Sequence, residues 1–320
     1  MAKYETTIDN VKDTLVKYGV AVIPDILSTK QIKQMKSNMW KMLNELTINM
    51  DNPITKNNES SWRSFYDLMP LHSMLVQHWG VGHSELVWAI RQNKNVCEVF
   101  EKIWDTDKND LLVSFDGVSI HFPPEITGRG WYRKNDWLHV DQSYNRNDFE
   151  CVQGFVSGFD INEGDATFTF LEKSHLYHKD FKKKFSKKDF KGDWYRLESD
   201  KEYDFYLKKG CKRANMTCSA GSIVLWDSRL VHCGKEAERN REEQNMRLVV
   251  YVCMTPREYS TESQLRKKRD AFNNKRMTTH NPHKIKLFSL MPRSYGKELP
   301  NVGKLSEPNI SDLGRRLAGF

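Results

Sequence analysis

No apolar run in the 320-residue sequence approaches the ~18 residues that a membrane-spanning helix needs. The opening residues, Met1-Ala2-Lys3-Tyr4-Glu5, are polar and carry no signal-peptide core. The six cysteines (Cys97, Cys151, Cys211, Cys218, Cys233 and Cys253) contain no C-x-x-C pair and no dense framework, which favours free, packed thiols in a reducing compartment. There is no G-x-G-x-x-G or Walker pattern, no internal repeat, and no convincing nucleophile or acid–base dyad. From these absences we expect a soluble, intracellular chain, cytoplasmic in the simplest reading, without a membrane span.

What is present is aromatic and basic. Nine Trp and sixteen Phe point to a densely packed interior or an aromatic-lined pocket. The net charge of +8 is uneven: Lys179 to Arg213 holds 13 basic and 7 acidic residues. That segment reads as a solvated helical insert, or as an attractor of phosphates, CoA-like anions or nucleic acid.

Along the chain, Tyr18 to Leu27 reads as a short strand and turn. Ser28 then caps a helix from Thr29 to about Leu46, with Ile32, Met35, Met39 and Met42/Leu43 at helical spacing. Ser84 to Trp104 reads as one or two helices. From Leu111 the pattern changes to short strands: Leu112–Phe122, Cys151–Asp160, Ala166–Leu171, Ser222–Trp226 and Arg247–Met254, separated by turn signals. Such spacing suits a sandwich or barrel better than a parallel sheet. The charged tail past Pro256 is expected to wrap or cover the barrel.

Within this pattern lies Trp137-Leu138-His139-Val140-Asp141-Gln142-Ser143. Residues two apart on a strand point to the same side, so His139 and Asp141 can converge on one point. His232 supplies a second imidazole, and two His with one carboxylate on one face of a metal is the pattern of non-haem Fe(II) oxygenases. Cys233 is not counted as a ligand, because strand neighbours face opposite ways. His72, His78, His83, His175 and His280 are read as structural.

These residues carry a family resemblance. The chain resembles the phytanoyl-CoA dioxygenase-like branch of the Fe(II)/2-oxoglutarate oxygenases over roughly residues 15 to 256. The opening Tyr18-Gly19-Val20, the His139-Val140-Asp141-Gln142 motif, Asn162-Glu163-Gly164-Asp165 through Lys173-Ser174-His175, the Ala220 to His232 strand, and Arg247 match in order. Lys173 stands where the family usually has Gly. The resemblance implies a mainly β fold with added helices: a double-stranded β-helix (jelly roll, cupin-like) with N-terminal α-helices packed outside. The 320 residues are read as one oxygenase domain, with residues 1–110 mainly helical, 111–256 the jelly-roll core bearing the basic insert 179–213, and 257–320 a C-terminal extension.

The resemblance further implies Fe(II) and 2-oxoglutarate as cofactors, with His139, Asp141 and His232 on the metal. Arg247 is implied to hold the far carboxylate of 2-oxoglutarate, by a bidentate pair from an antiparallel neighbour of the His232 strand. Arg239 and Arg241 lie in a polar loop and are weaker candidates. Ser119, His121 and Gln153 are candidate cofactor contacts or packing residues. Trp137, Tyr144, Trp226 and Arg229 are candidates for the substrate pocket. Asp rather than Gly or Ala at 141 favours hydroxylation over halogenation. The expected partners are O2 and a small molecule (acyl-CoA, lipid-like or amino-acid-like), with succinate and CO2 as co-products. The alternatives are a hydroxylase of protein or nucleic acid, a catalytically silent binding barrel, and a Zn hydrolase that would leave Arg247 without a role.

Overall fold

The computed structural model describes residues 3–186 and 188–320. Among these residues the strands are β1 (Val20–Ile23), β2 (Leu75–Val76), β3 (Leu111–Val113), β4 (Val118–His121), β5 (His139–Val140), β6 (Val152–Ser157), β7 (Thr167–Leu171), β8 (Tyr195–Arg196), β9 (Arg213–Asn215), β10 (Ile223–Asp227), β11 (His232–Lys235) and β12 (Arg247–Pro256). They form two antiparallel sheets. One runs β1-β10-β6-β12-β4-β2, with β3 also on β12; the other runs β8-β5-β11-β7-β9. This is the double-stranded β-helix, or jelly roll.

Strand alternation sorts the side chains into three packed layers. On β12, Leu248, Val250, Val252 and Met254 join the helices on the outer face of the larger sheet, while Val249 packs between the sheets with Phe155, Phe168, Val224 and Trp226. Both faces are covered, which is why these strands read as nearly continuous apolar runs. The outer layer contains α1 (Val11–Tyr18), α2 (Thr29–Thr47), α3 (Glu85–Arg91) and α4 (Lys94–Trp104). Ser28 caps α2 in a reciprocal capping box with Gln31, and the helix buries Met35, Met39, Met42, Leu43 and Leu46. Each such fully buried side chain contributes about 1.5–3 kcal/mol of transfer free energy.

The third layer covers the smaller sheet and is built from the basic insert. Helices His178–Lys184 and Asp200–Lys208 bring Phe181, Phe205 and Tyr206 against Leu138, Val140, Leu171, Val231 and Cys233. The strands of the insert extend that sheet, β8 beyond β5 and β9 beyond β7. The insert is therefore a packed wall, with Lys183, Lys184, Lys208 and Lys209 exposed on its outer side, rather than a merely solvated excursion.

The strand expected over Leu112–Phe122 is broken into β3 and β4 by Ser114–Gly117. The C-terminal extension takes over the hydrogen bonding there: Phe115 N donates to Thr278 Oγ1 at 2.9 Å. Gly117 lies so close to β2 that a Cβ would fall 2.0 Å from the Val76 carbonyl oxygen. The break turns Asp116 into the space between the sheets, where it lines the central cavity. No helix among the described residues is long and apolar enough to cross a membrane.

Candidate metal centre and its cavity

β11 pairs with β5 so that His232 lies directly opposite His139. β5 is only two residues long, and Asp141 lies in the bend beyond it, not on the strand as the spacing suggested. Its amide donates to the Ser228 carbonyl at 3.0 Å, and this bond fixes the bend. Asp141 Oδ2 sits 3.6 Å from His139 Nε2 and 3.3 Å from His232 Nε2. One ligand atom from each residue falls within 4.8 Å of the other two, so the trio could hold a metal ion.

The protonation pattern suits a cation. His139 Nδ1 lies 3.0 Å from the Trp137 carbonyl and His232 Nδ1 lies 2.9 Å from the Leu230 carbonyl. A carbonyl only accepts, so both Nδ1 atoms carry a proton, and in the neutral ring Nε2 is the nitrogen left to bind a cation. Two imidazole nitrogens and a carboxylate oxygen gathered in this way are a donor set suited to a cation. Gln153 Nε2 donates to the same Asp141 Oδ2 at 2.9 Å and so orients the acid. Burial pushes the Asp141 carboxyl up, but the surrounding imidazoles of His139 and His280 and the hydrogen bonds to it outweigh this, holding it well below the usual range. Trp137 is sandwiched between His72 and His139, with centroids 4.0 and 4.5 Å away, and donates its indole N–H to the Gly234 carbonyl.

Arg247 faces this centre from the other sheet. Its strand pairs with β4 and β6 and not with β11, which corrects the expectation of a neighbouring strand. Residues 236–246 cross between the sheets instead. Arg247 is 3 % exposed. Nε donates to Ser119 Oγ at 3.2 Å, Nη1 donates to the Ala166 carbonyl at 3.2 Å, and the guanidinium lies over Phe155. Among the described residues it has no carboxylate partner, an expensive state for a buried cation. Arg241, by contrast, is neutralised by Glu125 and Asp165 at 2.7 and 3.0 Å.

A cavity of about 520 Å³ joins these groups. Trp137, His139, Asp141, Gln153, Trp226, His232 and Arg247 all line it. Ser119 contributes by holding Arg247. His121 is fully buried and bonded through Nε2 to the Gly130 carbonyl at 2.9 Å, away from the lining. Tyr144 is not a pocket residue either: it is stacked on His178 and Phe181 and bonded to the Tyr206 hydroxyl at 2.8 Å. Arg229 is occupied by Asp227 at 2.6 Å and by the Asn147 carbonyl. Lys183 and Lys184 of the basic insert line a separate surface depression.

The structure adds lining residues that pattern reading left as structural or did not single out. His72 comes from the loop before β2, Asp116 from the β3–β4 break, Trp194 from the insert, and His280, Asn281 and Lys284 from the C-terminal extension. Tyr251 also lines the cavity. It lies four residues from Arg247 on the same face of β12, so strand periodicity could have found it. His280 offered no such signal.

The comparisons agree with this geometry. The model of the phytanoyl-CoA dioxygenase (PhyH) family matches residues 15–247. Ava biosynthesis cluster protein O of Aspergillus versicolor is 26 % identical over 282 residues, spanning 85 % of this chain and 86 % of that protein. Two solved structures share the fold: a hypothetical protein of Escherichia coli (TM-score 0.59, 13 % identity, 97 % of this chain and 82 % of that one) and GlcNAc Inducible Gene 2 of Candida albicans (TM-score 0.54, 14 % identity, 97 % and 80 %). With a jelly roll that brings two imidazoles and a carboxylate together at one end of a cavity, the chain belongs to the phytanoyl-CoA dioxygenase family of non-haem-iron, 2-oxoglutarate-dependent oxygenases.

Proposed function

We propose that this oxygenase hydroxylates a C–H bond of a small molecule held in the central cavity, with His139, Asp141 and His232 as the Fe(II) ligands and Arg247 as the anchor of 2-oxoglutarate. The observation that carries the reading is the convergence of one ligand atom each from His139, Asp141 and His232 within 4.8 Å. It is supported by a buried guanidinium in the same cavity without an acid of its own among the described residues. When bound, iron and 2-oxoglutarate supply O2 activation coupled to oxidative decarboxylation of the cosubstrate to succinate and CO2.

The chain's own residues do the rest. The carbonyls of Trp137 and Leu230 fix the imidazole tautomers, and Gln153 holds the Asp141 carboxylate in place. Ser119 and the Ala166 carbonyl orient the Arg247 guanidinium, leaving donors to meet a carboxylate. Trp137, Trp226 and Phe168 wall the cavity and limit water around the reacting bond. The cavity volume falls within the ordinary range for small-molecule sites, which favours such a substrate over a folded protein or nucleic acid.

The test is anaerobic addition of Fe(II) and 2-oxoglutarate, watching for the visible charge-transfer band of their chelate. We expect the band in the parent, its loss in His139→Ala and its weakening in Arg247→Ala. No band in folded, iron-loaded protein would sink the reading.

A further inference from the structure

Two cysteine sulfurs meet close to the network that holds Asp141. Cys253 on β12 pairs in register with Gln153 on β6, and Cys151 stands two residues before Gln153, the diagonal neighbour of Cys253. The two sulfurs lie 3.5 Å apart, and the residues are 5 % and 2 % exposed. Among the described residues no other two cysteines are hydrogen-bonded to each other. The hydrogen bond with Cys253 draws the Cys151 thiol below its ordinary value, whereas burial pushes the Cys253 thiol up. Cys151 is thus the better nucleophile of the pair.

Short hydrogen-bonded links run from this pair to Asp141. Ser228 N donates to the Cys151 carbonyl at 3.0 Å, and the Ser228 carbonyl accepts from Asp141 N at 3.0 Å. Gln153 donates to Asp141 Oδ2 at 2.9 Å and to Ser228 Oγ at 3.4 Å. A disulfide bond is about 2.05 Å long, so the sulfurs must close by roughly 1.5 Å to form one. Cys253 is held inside the ten-residue β12, and its carbonyl accepts from Ser114 N at 3.0 Å. Cys151 lies just before β6 and outside its paired register, so it is the end that moves. Ser228 and Asp141 follow it through their backbone bonds.

We propose that Cys151 and Cys253 are an oxidation site for hydrogen peroxide, and that their disulfide displaces Asp141 and weakens metal binding. The consequence for the metal rests on the reading of Asp141 as a ligand; the oxidation site itself does not. Hydrogen peroxide is small enough for so enclosed a pair. The Cys151 thiolate attacks one peroxide oxygen, the O–O bond breaks, and a sulfenic acid forms as the other oxygen leaves and is protonated to water. The Cys253 sulfur then attacks the sulfenic sulfur, loses its proton and expels the oxygen as a second water. Two thiols are oxidised to one disulfide, and one peroxide is reduced to two waters. A small thiol reverses the change by exchange.

The test treats the full, iron-free chain with hydrogen peroxide, blocks the remaining thiols and maps the peptides by mass spectrometry. A peptide pair joined through Cys151 and Cys253 is expected, and dithiothreitol should release it. Anaerobic calorimetry with Fe(II) alone should show affinity about tenfold or more weaker after oxidation, restored by dithiothreitol. Cys253→Ala should abolish both the link and the reversible loss. The absence of the link, a link with unchanged Fe(II) affinity, or the same reversible loss in Cys253→Ala would each overturn the proposal. The peptide map and affinities of the parent decide the matter even if the variant does not fold. Failure of the reduced parent to bind Fe(II), seen before any oxidant is added, would remove the metal-centre reading and the proposed control together.

Discussion

The side-chain amide of Gln153 reaches across from β6 to Asp141 Oδ2 at 2.9 Å, so one residue of the larger sheet sets the carboxylate that follows β5 at the candidate metal centre. Hydrogen-bond partners of metal ligands commonly tune affinity by 10–100-fold. Gln153→Ala is therefore expected to weaken Fe(II) binding by about 10–100-fold, with little change in the affinity for 2-oxoglutarate once iron is saturating. Anaerobic iron titration, followed by the charge-transfer band, checks this.

Arg247 faces the cavity bonded to Ser119 and the Ala166 carbonyl, beside Tyr251, with no carboxylate partner among the described residues. Hydrogen bonds to charged groups are worth about 1.5–3 kcal/mol, so Arg247→Ala should raise the KM for 2-oxoglutarate by roughly 10–100-fold. Lysine should rescue little, since it lacks the planar fork. Ser119→Ala should cost only a few-fold. Steady-state kinetics against 2-oxoglutarate separates the three.

Acid should weaken the fold through its buried imidazoles. Burial holds the imidazoles of His83, His121 and His178 down to about 4, against an ordinary value of 6.5. Between those values each is neutral in the folded chain and protonated in the unfolded one. The unfolded state then binds more protons, and stability falls as pH drops through the window. Urea unfolding at pH 7.5 and 5.5 should differ by about 1 kcal/mol per histidine. A flat profile over that range would show that these rings are not buried neutral.

Lys173 adopts a left-handed conformation, with φ +64°, at the turn after β7. Its amide donates to the Tyr18 carbonyl at 3.1 Å, so the turn keeps its shape despite the side chain where the family usually has glycine. The left-handed region costs an L-residue about 1–2 kcal/mol, and glycine gives part of that back in the unfolded state. Lys173→Gly should stabilise the protein by about 0.5–1 kcal/mol in urea unfolding.

Lys268, on the helix Glu262–Asn273, is buried and donates to the carbonyls of Val113 and Pro282. Burial pushes its amine well below the ordinary range, and its two hydrogen bonds tie the extension to β3. Lys268→Met should cost about 1–3 kcal/mol by leaving carbonyls unpaired, and should raise the substrate KM because Thr279 to Phe288 lose their anchor. Unfolding and kinetics on the same variant test both effects.

The longer strands and the closeness of His139 to Asp141 were legible because their signals are local. The capping box of α2, the alternation along β12 and the His139-x-Asp141 spacing each need only a few neighbouring residues. The break at Ser114–Gly117 was not legible, because the partner that replaces the ladder is Thr278, far along the chain. For the same reason Tyr144 and Arg229 looked like pocket residues. Their true partners, Tyr206 for one and Asp227 with Asn147 for the other, depend on how the insert and the loop before β6 fold back. His72 and His280 were read as structural because no spacing relates them to the trio; tertiary folding brings them to the cavity.

The family match ends at residue 247, whereas Thr279, His280, Asn281, Lys284, Lys286 and Phe288 form one wall of the cavity. The part of the chain that defines kinship and a part that walls the cavity are thus separate stretches of sequence. A change of cargo need not disturb the oxidising machinery, because the C-terminal wall can be rewritten while His139, Asp141 and His232 stay in place. Kinship over residues 15–247 thus says more about the reaction than about the molecule that undergoes it.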